Sequence, residues 1–352
     1  MTKDGLLKQL SIEHPVIQGP MGGGPSTPEL VAAVSNAGGL GSLGAAYMTP
    51  DKITEAIRQI RRLTEKPFNV NLFAGGYEAK SQPDPAPMLD LLAEIHKALE
   101  LPPPVLPQIP PDPFASQFEA VLDSAPPIFS FTFGIPSADA MSRLRKRGIT
   151  TLGTATTVEE ARLLTKAGVD GIVAQGAEAG AHRGTFAGPF EASMIPTMDL
   201  VRGIYDAVLV PVIASGGIMD GRDISTAMKL GASAASLGTA FLTCPESGAP
   251  EAHKRAVLDA RKNTTVITRA FSGRPARGLP NAFIAKLAGK ENMILPFPLQ
   301  NALTRAMRTA AAKRGESGFL SLWAGTGVAR ARAMPAGELV RRLVEEMGGA
   351  NL

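Results

Sequence analysis

A single cysteine, Cys244, stands in 352 residues, so no intramolecular disulfide framework is available. Such poverty suits a reducing compartment. There are four histidines, with no HExxH and no cysteine pair, which argues against a metal centre. Aromatic residues make up only 5%, and Lys and Arg outnumber Asp and Glu by 36 to 32, a net charge of +4. Basic residues thicken over 254–277, but not as the dense, aromatic-rich stripe that nucleic acid demands. That pattern reads as a solvated or anion-facing surface rather than a nucleic-acid footprint. No run of eighteen apolar residues occurs, so no membrane span is expected. The opening MTKDGLLKQLSIEHP carries acids and lacks the apolar core of a signal peptide, and the expected location is cytoplasmic.

What the chain has is glycine at the ends of short apolar runs, alternating with helical patterns. VIQGP (16–20), LGSLG (40–44), FNVNLF (68–73), PIFSFTFG (127–134), TTLGTAT (150–156), GIVAQG (171–176), PVIASGG (211–217) and AASLGTAFL (234–242) read as strands. Helix starts are marked by Thr27 before Pro28, by a capping box of Thr157 with Glu160, and by Asp220. Stops are marked by Gly38, Gly148, Gly168 and Gly231. Eight β/α units in about 230 residues predict a parallel (β/α)8 barrel over residues 1–245. Residues 74–126 are too long for a plain crossover, and their LPPPVLPQIPPDP is hostile to helix, so they read as an excursion over one rim. Residues 246–352 read as an additional small, mostly helical segment packed over that rim, with helical patterns at 299–314 and 336–347.

In this fold chemistry sits where strand C-termini meet their loops, and phosphate is gripped after strands seven and eight. Ser215-Gly216-Gly217 ends the seventh strand and Ser236-Leu237-Gly238-Thr239 the eighth. Both offer close backbone approach and a hydroxyl. GGLGSLG (38–44) resembles a dinucleotide fingerprint, but its glycines follow a helix and enter a strand, which is the reverse order. The loop GAEAGAHRGTF (176–186) sets Glu178, His182 and Arg183 at the rim, where a histidine can act as general base or bind an anion. It could equally hold the loop. His14, His96 and His253 suit structural roles. Met21 and the glycines after it could lie against a flat ring. The carboxamides of Asn71 and Gln175 could meet the edge of an isoalloxazine or plug the interior. FSGRPARGLPNAF (271–283) offers Arg274 and Arg277 amid Gly and Pro, a shape suited to a fixed loop near an anionic site.

VIQGPMGGGPSTPELVAAVSNAGGLGSLG (16–44), PFNVNLF (67–73), GIVAQGAEAGAHRGTF (171–186) and PVIASGGIMDGRDI (211–224) resemble the nitronate monooxygenase (2-nitropropane dioxygenase) family of the class I type. FSGRPARGLPNAF and LWAG (322–325) extend the likeness into the tail. The resemblance implies a TIM barrel with an added small domain and non-covalently bound FMN. Met21, Asn71, Gln175, Gly180, Gly217, Ser236, Leu237, Gly238 and Thr239 would contact that FMN. It implies His182 as catalytic base or nitronate anchor, with alkyl nitronate and O2 as substrates and no oligomeric state specified. Two departures stand out. Ala181 occupies a position where the family has glycine, and Phe297 lies where it carries a tyrosine. Two other readings share these residues. One is an FMN-dependent NAD(P)H reductase of quinones or enoyl thioesters, and the other a non-catalytic flavin- or phosphate-ligand-binding protein.

Overall fold

The computed structural model describes residues 5–77, 83–108 and 111–349. Eight strands run parallel in one sheet: Val16–Gln18, Gly41–Gly44, Phe68–Phe73, Ile128–Thr132, Thr150–Ala155, Gly171–Gln175, Val212–Ser215 and Ala234–Leu237. The first pairs with the eighth in the register Val16 to Ala235. It meets the second through a parallel bridge between Ile17 and Leu40, which brings the sheet round into a barrel. The period-two alternation of FNVNLF sorts its side chains. Val70 and Leu72 are fully buried against the helices, while Asn69, Asn71 and Phe73 face the barrel interior.

Helix starts follow the local chemistry. Thr27 accepts the Leu30 N–H at 3.0 Å, and Pro28 opens Pro28–Asn36 with the fixed φ and missing donor that suit a first turn. Pro50–Leu63 also begins on proline and ends with Arg61 and Arg62 beside its free carbonyls. Thr157 caps Val158–Ala167 by accepting the Glu160 N–H at 3.1 Å, and Gly168 ends that helix at φ +82°. The reciprocal half of the expected capping box is not made. The Glu160 carboxylate reaches instead to Thr156 and to residues 185–187.

Both long segments outside the alternation divide between barrel and cap. Within 74–126, Phe114–Ser124 packs on Pro50–Leu63 and the third strand and joins the main core through Phe118, Val121 and Leu122. Ala86–Ala98 leaves the barrel and buries Met88, Leu92 and Ile95 with Phe271, Phe283, Leu299, Leu303 and Met307 of the tail. Part of the excursion, 78–82 and 109–110, lies outside the described residues. In the tail, Ala336–Gly348 packs between Pro28–Asn36 and Gly221–Lys229, with Leu339, Val340 and Leu343 fully buried. It therefore completes the barrel wall where an eighth outer helix belongs. The rest of the tail includes a small antiparallel sheet that no sequence pattern announced. In it Ala276–Gly278 is flanked by Val266–Thr268 and by Ala181–His182 of the sixth loop. Its strands are only two or three residues long, so no alternation marks them.

Candidate active site

One deep cavity of about 710 Å³ opens at the carboxyl ends of the strands, beneath the cap. That volume lies within the range of cofactor and ligand sites. Met21, Asn71, Gln175, Gly180, His182, Gly217, Ser236, Leu237, Gly238 and Thr239 all line it. The backbone sets out donors at the ends of strands seven and eight. Gly216 and Gly217 have φ of +126° and +70°, backbone that favours glycine, and a Cβ on Gly238 would meet nothing within 4 Å. Among the described residues, the N–H groups of Gly216, Gly217, Gly238 and Thr239 have no partner. Thr239 Oγ1 accepts the Gly325 N–H at 2.9 Å, which ties the tail segment LWAG to the eighth strand's end.

The amides are partly committed. Gln175 Nε2 donates to the His182 carbonyl at 3.1 Å and its Oε1 accepts from Gly184 N at 2.8 Å, so this side chain holds the sixth loop. Asn71 Nδ2 donates to Ser130 Oγ at 2.9 Å, which leaves Oδ1 for the cavity. Asn69 Oδ1 is buried without any partner. Met21 gives its N–H to Ser26 Oγ and its carbonyl to Ser26 N.

His182 lies on the two-residue strand beside Ala276–Gly278, with Ala276 opposite it. Its ring packs within 5.7 Å of Trp323, 6.1 Å of Phe133 and 6.4 Å of Phe297, centroid to centroid. Burial, then the charges of Arg274 and Arg308, push its pKa down to about 3, so the imidazole is neutral at pH 7. Nε2 is 2.8 Å from Ser272 Oγ, which also lies 3.2 Å from the Arg274 carbonyl. If the Ser272 hydroxyl donates to Nε2, His182 is the Nδ1–H tautomer. If it donates to the carbonyl, Nε2 carries the hydrogen and Nδ1 is left as a base.

Cations gather here, and no carboxylate among the described residues lines the cavity. Arg308 donates to Asn301 at its carbonyl and at Oδ1, and its Nε is buried without a partner. Burial lowers both Arg274 and Arg308 to about 10, and each remains charged at neutral pH. The Tyr47 hydroxyl is buried and unpartnered, its pKa pushed up to about 12 mainly by burial. Arg277, expected beside Arg274 at the anionic site, turns its Nε to the Ala177 carbonyl and fastens the loop.

Sequence reasoning missed Arg308, Tyr47, Ser272 and Trp323. It also assigned His253 a purely structural place, although His253 lines this cavity while bonding the Trp323 carbonyl at 3.1 Å. Arg308 belongs to the helix Arg305–Arg314, which turns both Arg305 and Arg308 to the cavity, and only the cap's fold decides that direction. No group of three or more His, Cys, Asp or Glu able to hold a metal occurs among the described residues. No helix among them is long and apolar enough to cross a membrane.

A parallel barrel with a deep cavity at the strand carboxyl ends, capped by a second layer, is the architecture of a (β/α)8 enzyme, and here the enzyme is an oxidoreductase. The chain belongs to the nitronate monooxygenase family, whose model matches residues 3–346. A probable nitronate monooxygenase of Staphylococcus aureus (strain Newman) is 40% identical over 346 residues, 98% of this chain and 97% of that protein. Nitroalkane oxidase from Streptomyces ansochromogenes superposes with a TM-score of 0.90 at 41% identity, covering 98% and 99% of the two chains. FabK from Thermotoga maritima does so with a TM-score of 0.78 at 27% identity, covering 100% and 98%. Oxidation of nitro compounds is therefore the chemistry of the family to which this cavity belongs.

Proposed function

We propose that the chain oxidises alkyl nitronates with O2 to carbonyl compounds and nitrite, using non-covalently held FMN. The observation that carries this reading is a neutral, half-buried histidine in the field of two guanidinium groups that pair with no carboxylate among the described residues, in a cavity whose far end presents unpaired backbone N–H groups. When bound, FMN accepts electrons from the substrate and passes them to O2. The residues fit such a group. The N–H groups of Gly216, Gly217, Gly238 and Thr239 suit a phosphate, with Ser236 and Leu237 as the strand that presents them. Asn71, Gln175, Gly180 and the turn at Met21 would line the ring.

His182, Arg308 and Tyr47 then remain for the substrate. A histidine held near 3 is a weak base toward a neutral nitroalkane at pH 7. As the Nδ1–H tautomer it is a good donor to a preformed anion, so anchoring is the role favoured here.

Three measurements on one purified sample test the reading. Denaturation should release a flavin that co-chromatographs with FMN; FAD, or no flavin, counts against it. Nitrite should form from preformed nitronate, whereas rapid anaerobic bleaching by NADH without nitrite would support the reductase reading. His182→Asn should lower kcat/KM for nitronate by roughly 10–100-fold, less than the 10²–10⁴ typical of a lost general base. Because His182 is neutral throughout, wild-type kcat/KM for nitronate should show no inflection from it between pH 5 and 8. An inflection near 6.5 that vanishes in His182→Asn would restore the base role.

A further inference from the structure

Phe133, just past the fourth strand, has φ +72°, a left-handed conformation that bulky residues rarely adopt and that persists only where the surroundings impose it. What imposes it is the chain 74–76 running alongside. Ala74 N donates to Thr132 O at 2.8 Å, and a Cβ on Gly75 would come within 2.7 Å of the Phe133 carbonyl. The Phe133 ring forms part of the cavity wall, 6.1 Å from His182 between centroids. Behind it lies the Arg274 guanidinium, its Cζ 3.9 Å from the ring centroid. Gly76, at φ +90°, is packed so closely against the guanidinium that a Cβ there would overlap Arg274 Nη1. Phe297 stands 5.9 Å away, and no carboxylate pairs with Arg274 among the described residues. One strained backbone position, one glycine with no room for a side chain and an aromatic face thus hold one positive charge, unpaired by any carboxylate among the described residues, behind the wall.

We infer that Arg274 is a specificity-determining residue, a fixed cation one ring behind the cavity wall that selects anionic over neutral ligands. It acts through Phe133 and through space, because it does not itself line the cavity. A planar guanidinium stacks on an aromatic face and tolerates poor hydration better than an ammonium, which explains an arginine here. The charged groups acting on His182 are Arg274 and Arg308. Tyr47 shares their field, and Arg183, the next residue along the chain, turns away to Gly176 and Ser193. Removing Arg274 therefore frees His182 to take up a proton closer to pH 6.5.

The identity of the anion rests on the nitronate reading, but the effect of the charge can be read without turnover. On the flavin-loaded protein, the His182 imidazole is titrated by NMR, assigned with His182→Asn, and nitrite is used as an anionic probe at pH 8. Arg274→Gln should raise the His182 pKa by about a unit or more and weaken nitrite about tenfold, one unit corresponding to a factor of ten. Arg274→Lys should keep most of both properties. Gly76→Ala, which displaces the guanidinium without removing it, should reproduce the loss. An unchanged titration and nitrite affinity in Arg274→Gln and Gly76→Ala would overturn the inference. Absence of nitronate turnover in the wild type would instead overturn the functional reading and leave this result standing.

Discussion

At the scale of single residues, the site shows one departure with a measurable consequence. Ala181 adopts φ +63°, the left-handed region, next to His182. An L side chain there costs about 1–2 kcal/mol relative to glycine, while glycine adds about 0.4–1 kcal/mol of unfolded-state entropy to be lost on folding. Ala181→Gly should therefore stabilise the protein by about 0.5–1 kcal/mol, seen as a higher denaturation midpoint; a lower midpoint would show that the alanine methyl packs usefully. Asn71, Gln175 and His182 were legible because strand alternation and strand-end position place them in the interior without knowledge of anything distant. Arg308 was not, since it reaches the cavity only through the fold of the tail, and Tyr47 was not, since it lies beyond the alternating residues of the second strand, where no local pattern gives its direction.

At the scale of elements, the stretch 185–187 of the sixth loop is held by one carboxylate. Glu160, fully buried, accepts from Thr156 N and Oγ1, Thr185 Oγ1, Phe186 N and Ala187 N at 2.6–2.9 Å. Burial alone would raise its pKa, but these donors outweigh burial and the net shift is downward. The stability it contributes is present above its unfolded pKa and is lost as pH falls through the lower folded value. In Glu160→Gln an amide NH2 would face donors, at a cost of about 2–4 kcal/mol for hydrogen bonds to a lost charge. The variant should melt lower and be cut faster by protease within 184–190. Equal midpoints for variant and wild type would mean that the loop is held by Arg183 and Gln175 alone. The sequence announced this element only as a capping box, because a spacing of three along the chain says nothing about a partner 25 residues on.

For the whole molecule, the barrel is closed late. The chain leaves it after Leu242 and returns with Ala336–Gly348, which covers the gap between the first and seventh outer helices. Leu339, Val340 and Leu343 are each fully buried there. At about 2 kcal/mol per buried aliphatic side chain, their loss is comparable to the whole net stability of a domain. A chain ending before Ala336 should therefore express as insoluble protein or melt without cooperativity, even though every barrel strand is intact. A soluble, cooperatively folding product would show that the wall closes without this helix.

The (β/α)8 order and the interior-facing positions within strands, such as Asn71, followed from the sequence alone, because period-two and period-3.6 patterns and glycine stops are local properties of the chain. The expected eighth strand over 234–242 was too long: it ends at Leu237, and Thr239–Leu242 turns into a short helix. Pro50–Leu63 and Phe68–Phe73 coincide with their sequence-derived limits. Only the tertiary structure decided that a helix 94 residues beyond Leu242 completes the wall, and that Ala86–Ala98 shares a core with Phe271 and Phe283. It likewise decided that Arg274 and Arg308, without a carboxylate partner among the described residues, act on a neutral histidine. Apolar faces carry no label for their partner. The charge of a buried group depends on burial and neighbours in space, which nothing in its own segment records.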